Sequence, residues 1–127
     1  MVKFLKLTPG YRVIECDDIV NDDEFQSREM VVYSLGQTQV WEHKEYRLLM
    51  YVEKDDSDLF HNSVASFLYE KLKSSNYENK PINGRVFITN ANDEQEIDFT
   101  WDDFDYIWKK ICEKWWTPNK HPFLDRV

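Results

Sequence analysis

The sequence predicts a single α+β domain over residues 1–127, with a mostly antiparallel sheet of about six or seven strands and a pair of amphipathic helices packed on it. A length of 127 residues fits one domain. The hydrophobic share of 42% and the aromatic share of 16% are enough for a folded core without metal ions or disulfides. Turn residues separate several short segments of alternating polarity, whereas helical spacing is confined to residues 57–74 and 101–116.

Pairs of alternating segments predict β-hairpins at three places in the chain. Thr8, Pro9 and Gly10 join the first pair, and these residue types favour a tight turn. Gly36 joins the second pair, and residues 91–94 join the third. The predicted strand pairs are 2–7 with 11–16, 29–35 with 37–43, and 84–90 with 95–99.

Residues 45–54 predict a central strand of the sheet. Apolar residues occupy both alternating faces of this segment, which is typical of a strand that is covered on both sides. Residues 17–26 differ, because they hold five carboxylates and no basic residue and show no regular period. We therefore expect a loop there.

Helical spacing predicts a first helix at about 57–74 and a second at about 101–116. Residues 55–58 are acidic or hydroxylic and would cap the first helix. Thr100 and Asp103 resemble a capping box at the start of the second helix, with Asp in place of the preferred Glu or Gln. Apolar residues then recur along one side of this second helix, which predicts that it packs on the core.

The tryptophans of the second predicted helix invite two interpretations, a recognition surface or a core. Trp101, Trp108 and Trp115 lie seven residues apart and fall within one apolar arc of the helix, so we expect them in the core. Trp116 falls outside the arc and is therefore a candidate for contact with a partner. Residues 117–127 contain two prolines and predict an extended C-terminal tail.

The charge of the chain restricts its partners. A net charge of -8 and a pI near 4.8 argue against direct binding to nucleic acid and to anionic membranes, since both rely on Lys and Arg. The first residues lack the pattern of a signal peptide, so we expect a cytoplasmic protein. Cys16 and Cys112 form no CxxC pair and are interpreted as reduced thiols.

No catalytic or cofactor motif is evident in the sequence. The chain has no GxSxG elbow, no HExxH helix, no glycine-punctuated calcium loop and no glycine-rich phosphate loop. The three histidines, His43, His61 and His121, have no local partner that signals catalysis. The sequence therefore favours a protein that is not an enzyme and predicts neither a metal nor a cofactor.

Two acidic runs are the strongest functional pattern. The first run, from Glu15 to Glu24, holds six carboxylates. The second extends from Asp93 to Asp105, and neither run contains a basic residue. A solvated face with helix capping is one interpretation. A docking surface for a basic partner, anchored by Tyr106 or Trp116, is the other. The carboxylates of the second run are Asp93, Glu94, Glu96, Asp98, Asp102, Asp103 and Asp105.

Several classes of function fit these observations. The leading hypothesis is a small inhibitor, of the toxin-immunity or phage-encoded antagonist type, that occludes a basic site on a partner protein. A small ligand-binding domain or enzyme is the alternative, with a site assembled around His43, His61 and Tyr51. A third hypothesis is a subunit of a larger assembly, and self-association as a homodimer also stays open.

Overall fold

A computed structural model of the chain describes residues 2–10, 12–17, 22–26, 29–35, 39–41, 44–55, 59–73, 77–91, 96–115 and 125–126. The strands are β1 (Lys3–Thr8), β2 (Arg12–Asp17), β3 (Met30–Ser34), β4 (Gln39–Trp41), β5 (Lys44–Tyr46), β6 (Leu48–Glu53), β7 (Val86–Ala91), β8 (Glu96–Ile97) and β9 (Asp125–Arg126). The helices are α1 (Asp23–Gln26), α2 (Ser63–Leu72) and α3 (Trp101–Trp115). The predicted α+β class is confirmed.

The body of the sheet has fewer strands than we expected. Its five strands of five or six residues lie in the order β3-β6-β7-β1-β2, and all neighbouring pairs among them are antiparallel. The short β8 pairs with β7, and β9 adds a parallel pairing to β2, each through two residues. The pair β4 and β5 forms a separate two-stranded sheet. The expected count of six or seven was therefore slightly off, because these peripheral strands contribute only short pairings.

The first predicted hairpin is confirmed, since β1 and β2 pair from Lys3 opposite Asp17 to Thr8 opposite Arg12. Gly10 has a φ of 96°, in the left-handed region that the turn between these strands uses. The third predicted hairpin also forms, as the short antiparallel pairing of β7 with β8.

The second predicted hairpin, with its turn at Gly36, is wrong. Strand β3 pairs with β6 instead, and β4 pairs with β5. The reason lies in burial. Pairing β3 with β6 places β3 beside an apolar strand in which Met50 and Val52 are 0% and 3% exposed. Gly36 itself lies outside the described residues.

Helix α2 begins later than the sequence predicts. Its N-cap is Asn62, and its first residue is Ser63, six residues after the predicted start at 57. The Asn62 side chain accepts a hydrogen bond from the Ala65 N–H at 3.1 Å, which satisfies one of the free donors of the first turn. Phe60, predicted on the helix, precedes it and is 85% exposed.

Both longer helices pack on the same face of the sheet. Alternating residues of β1, β6 and β7 meet apolar residues of α2 and α3 in one buried cluster. Trp108 is 6% exposed and lies 5.5 Å from the ring of Phe67, and Trp101 packs partly buried against the same cluster. These two tryptophans therefore belong to the core as predicted. The side chain of Trp115, and Trp116 as a whole, lie outside the described residues.

The opposite face of the sheet carries a smaller aromatic cluster. Phe4 and Phe87 are 0% exposed there, and Phe25 lies 5.2 Å from the Tyr51 ring and 5.4 Å from the Phe87 ring. Phe25 comes from α1, a four-residue helix inside the segment that the sequence predicts as a loop. Asp22 starts this helix by accepting the Phe25 N–H at 3.0 Å. The predicted central strand covered on both faces is confirmed for β6, whereas residues 45 and 46 of the predicted segment belong to β5 in the separate sheet.

Candidate functional site

The two acidic runs of the sequence meet at the start of α3. The Lys3 N–H donates to Asp98 Oδ1 at 2.8 Å, and the Lys3 ammonium lies 3.0 Å from Glu15 Oε1. The second oxygen of Glu15 accepts the Trp101 N–H at 3.0 Å, one of the donors that a helix start leaves without an internal partner. The pairing of β1 with β2 places Asp17 directly opposite Lys3. Carboxylates that are more than 80 residues apart in sequence thus surround one lysine.

We call this region, formed by Glu15, Asp17, Asp98 and Asp102, the acidic surface. Asp17, Asp98 and Asp102 are exposed, whereas the Glu15 side chain is only 16% exposed. The hydrogen bond and the charge of Glu15 raise the pKa of Lys3 above 10.5, and Asp17 and Asp98 add to this effect. The ammonium therefore stays charged, and carboxylates outnumber it on this surface.

Asp103 has a structural role. Its Oδ2 accepts from the Thr100 N–H at 3.0 Å and from the Thr100 hydroxyl at 3.1 Å, while the Asp103 N–H donates back to that hydroxyl oxygen at 3.4 Å. The residue is only 6% exposed. This arrangement realises the predicted capping box, in which the Asp103 carboxylate accepts from the Thr100 N–H and hydroxyl.

The other predicted site residues are spread around this surface. Asp105 and Tyr106 are half-buried on α3, and the Lys110 ammonium lies 5.5 Å from the centre of the Tyr106 ring. Glu96 belongs to β8, but its side chain is not described. Asp93, Glu94 and Trp116 lie outside the described residues.

Of the three residues named for the alternative site, the structure describes Tyr51 and His61. Tyr51 packs against Phe25 in the aromatic cluster on the face away from α2 and α3. His61 is exposed and pairs through its backbone with Asn83, just before α2. His43 lies outside the described residues. Among the described residues, no group of three or more His, Cys, Asp or Glu side chains could hold a metal ion.

A small cavity near the start of α2 was not predicted from the sequence. Its volume is about 230 Å³, which is below the roughly 300–1,000 Å³ of typical small-molecule sites. Glu53, only 6% exposed, contributes to its wall. The lining residues are Pro9, Glu53, Leu59, Phe60, Gly84 and Arg85. Glu53, an acidic residue at the end of the apolar strand β6, is the one signal in the sequence for this cavity.

Comparison of the chain with protein-family models, with curated proteins and with solved structures finds no match. Among the described residues, no helix combines the length and the apolar character that crossing a membrane requires.

Proposed function

We propose that this protein binds another protein through the acidic surface and acts as a non-enzymatic inhibitor that covers a basic site. One observation carries the proposal, namely the convergence of both acidic runs around Lys3. Inhibitors of the toxin-immunity type and phage-encoded antagonists are the functional classes that fit it. A basic substrate groove, such as the one that a nuclease uses for its substrate, is the matching target.

Electrostatics supports this proposal. The chain carries a net charge of -8, so its field attracts a basic partner, and the acidic surface would orient that partner on approach. Charge steering of this kind weakens as salt is added, because the Debye length falls to about 10 Å at 0.1 M ionic strength. Partner association should therefore be fastest at low salt.

The acidic surface is also held in place by the fold. Asp17 lies on β2, Asp98 accepts a backbone hydrogen bond from β1, and Asp102 lies in the first turn of α3. Glu15 links β2 to the start of α3. Hydrogen bonds hold the Glu15 and Asp98 carboxylates in place, so these two side chains lose little conformational entropy when the surface binds.

A charge-reversal pair tests the proposal. The tagged protein is used to capture its partner from lysate of the source cells, and the captured protein is identified by mass spectrometry and produced in pure form. Association of that protein is then measured for wild type and for Asp17→Lys with Asp102→Lys, at low and at high salt. The variant should associate more slowly, by about tenfold or more at low salt, and with a flatter salt dependence.

The matched control is Glu70→Lys with Glu78→Lys, because both glutamates are exposed and the change in net charge is the same. If the control slows association as much as the test pair does, net charge alone is responsible and the acidic surface is not the docking site. An unchanged rate in the Asp17 and Asp102 variant would refute charge steering through this surface.

A further inference from the structure

The small cavity near the start of α2 carries both signs of charge in its wall. Glu53 and Arg85 line it together. Val52 of β6 lies opposite Val86 of β7, so Glu53 and Arg85 are the next residues beyond this pair on the two neighbouring chains. Glu53 is 6% exposed, and Arg85 is half-buried. The fold thus holds a carboxylate and a guanidinium side by side at the cavity.

A glycine allows the Glu53 carboxylate to reach this position. Gly84 has a φ of 81°, and a Cβ added there would overlap the carboxylate, so Glu53 lies directly against the main chain at this residue. The Gly84 N–H donates to the Phe60 oxygen at 2.7 Å, and His61 forms a backbone bridge with Asn83 beside it. These contacts hold the segment that precedes α2 next to the carboxylate.

The rest of the cavity wall is largely apolar. Pro9, Leu59 and Phe60 contribute to it. The Phe60 side chain is 85% exposed although its main chain is fixed by the hydrogen bond from Gly84. A ligand with an apolar group at this place would cover part of the Phe60 ring and remove apolar surface from water. The cavity therefore combines two charged groups with an apolar wall.

We propose that this cavity binds a free α-amino acid with an aliphatic side chain, of about the size of leucine. The ligand's ammonium would donate to Glu53, its carboxylate would accept from Arg85, and its side chain would pack against Phe60. The cavity volume of about 230 Å³ equals that of roughly eight water molecules in the liquid, which is close to the size of leucine. The wall and the volume therefore select the same class of ligand.

The two charged residues can bind this ligand while they keep their contacts within the protein. Both Glu53 and Arg85 have such contacts. A carboxylate accepts several hydrogen bonds and a guanidinium donates several, so the existing contacts position these groups without using up their capacity. A lysine side chain or a chain terminus of a partner protein would supply only one of the two charges, whereas a free amino acid carries both on one carbon atom.

The amino-acid site is separate from the proposed inhibitory function. None of the residues that line the cavity belongs to the acidic surface, which is formed by Glu15, Asp17, Asp98 and Asp102. Binding of an amino acid therefore neither requires nor excludes a basic protein partner. Failure of one proposal leaves the other intact.

A titration of the intact, ¹⁵N-labelled protein with L-leucine, followed by NMR, tests the proposal. The amide resonances of Phe60, Gly84 and Arg85 should shift and saturate with a Kd below about 10 mM. Those of Lys3 and Trp101, at the acidic surface, should stay in place. Absence of saturable shifts up to that concentration, or saturable shifts confined to residues outside the cavity wall, would overturn the inference.

Matched ligands separate the contributions of the two charges in wild-type protein. 4-Methylpentanoate lacks the ammonium of leucine, and 3-methylbutylamine lacks its carboxylate, but both keep the same aliphatic chain. Each should bind at least about tenfold more weakly than leucine, because each loses one charge-assisted contact. An analogue that binds as tightly as leucine would refute recognition of the missing charge and with it the proposed ligand class.

Substitutions of two exposed apolar residues provide the matched variants. Phe60→Ala should weaken leucine binding about threefold or more, because the ligand's side chain loses part of its apolar wall. Val32→Ala should leave binding unchanged, since Val32 is 45% exposed on β3 and does not line the cavity. Unchanged binding by the Phe60 variant, or an equal loss in both variants, would contradict the proposed placement of the ligand.

Discussion

The side-chain amide of Asn62 donates a hydrogen bond to the main-chain oxygen of Leu7 at 3.0 Å, across 55 residues of sequence. The same amide donates to the Gly84 oxygen at 2.9 Å, and the side-chain oxygen accepts from the Ala65 N–H at 3.1 Å. Asn62 is fully buried, and both N–H donors and the oxygen of its side chain form hydrogen bonds. One residue thus joins β1, the start of α2 and the turn before β7.

A series of substitutions at Asn62 should separate capping from bridging. Asn62→Ser keeps a capping oxygen but leaves the Leu7 and Gly84 oxygens without this donor, whereas Asn62→Ala removes both roles. We expect Asn62→Ala to lower the free energy of unfolding by about 2–4 kcal/mol, and Asn62→Ser by about 1 kcal/mol less than that. Urea unfolding of each purified variant measures this difference. Equal losses in both variants would show that the cap contributes nothing.

The start of α2 also shows a limit of prediction from sequence. Residues 55–58 and Asn62 are all types that favour helix starts, so local pattern does not choose between them. Asn62 is the N-cap of α2 because its side-chain amide can also donate to the Leu7 and Gly84 oxygens, which a carboxylate cannot do. Those oxygens belong to segments that only the tertiary fold brings near. The capping box of Thr100 and Asp103 could be predicted because both partners are local.

The acidic surface was predictable in its composition but not in its assembly. Asp98 and Asp102 belong to one acidic run and Asp17 to the other, and each run was visible in the sequence. Their meeting depends on the register that sets Asp17 opposite Lys3, which sequence spacing does not reveal. The part played by Glu15, which bonds both Lys3 and the start of α3, was missed for the same reason.

The two glycines with positive φ should respond differently to substitution. Gly10 has a φ of 96° with nothing within 4 Å of an added Cβ. Gly84 has a φ of 81°, and an added Cβ would overlap the Glu53 carboxylate and lie 2.7 Å from Leu59 Cδ1. We expect Gly10→Ala to cost about 1–2 kcal/mol from backbone strain alone, and Gly84→Ala about 2–5 kcal/mol because overpacking adds to it. Thermal or urea unfolding compares the two variants.

Gly10→Ala serves as the control in this comparison, since it introduces the same side chain at a similar φ. A cost at Gly84 no larger than that at Gly10 would contradict the close approach of Glu53 and Leu59. It would show that these side chains move aside without loss of packing.

Adjacent aspartates at the start of α3 should differ in their contribution to stability. Asp103 is 6% exposed and accepts two hydrogen bonds from Thr100, whereas Asp102 is exposed. Asp103→Ala should lower the free energy of unfolding by about 1–2 kcal/mol, because the capping box is lost. Asp102→Ala should change it by less than about 0.5 kcal/mol. Chemical denaturation at neutral pH measures both, and a larger loss at Asp102 would contradict the assigned roles.

The Tyr69 hydroxyl should make the folded protein less stable at alkaline pH. It donates to the Glu78 main-chain oxygen at 2.8 Å, and the Tyr69 ring is buried between α2 and the chain that returns toward β7. Burial raises the pKa of Tyr69 above 10.0, although the charge of Lys80 opposes the shift. Since the folded pKa exceeds the unfolded value, the unfolded chain loses this proton first. Stability contributed by the neutral hydroxyl is therefore complete below about pH 10 and falls as the pH rises through the folded pKa.

Tyr69→Phe isolates this effect, because it removes the hydroxyl and keeps the buried ring. At neutral pH the variant should be less stable by about 0.5–1.5 kcal/mol, since it lacks the hydrogen bond to Glu78. As the pH rises past about 10, wild type should lose stability faster than the variant, so the difference should narrow. Urea unfolding of both proteins across the alkaline range measures it. A difference that stays constant would mean that folding leaves the Tyr69 pKa unchanged, and that the hydroxyl does not meet the buried environment from which the prediction follows.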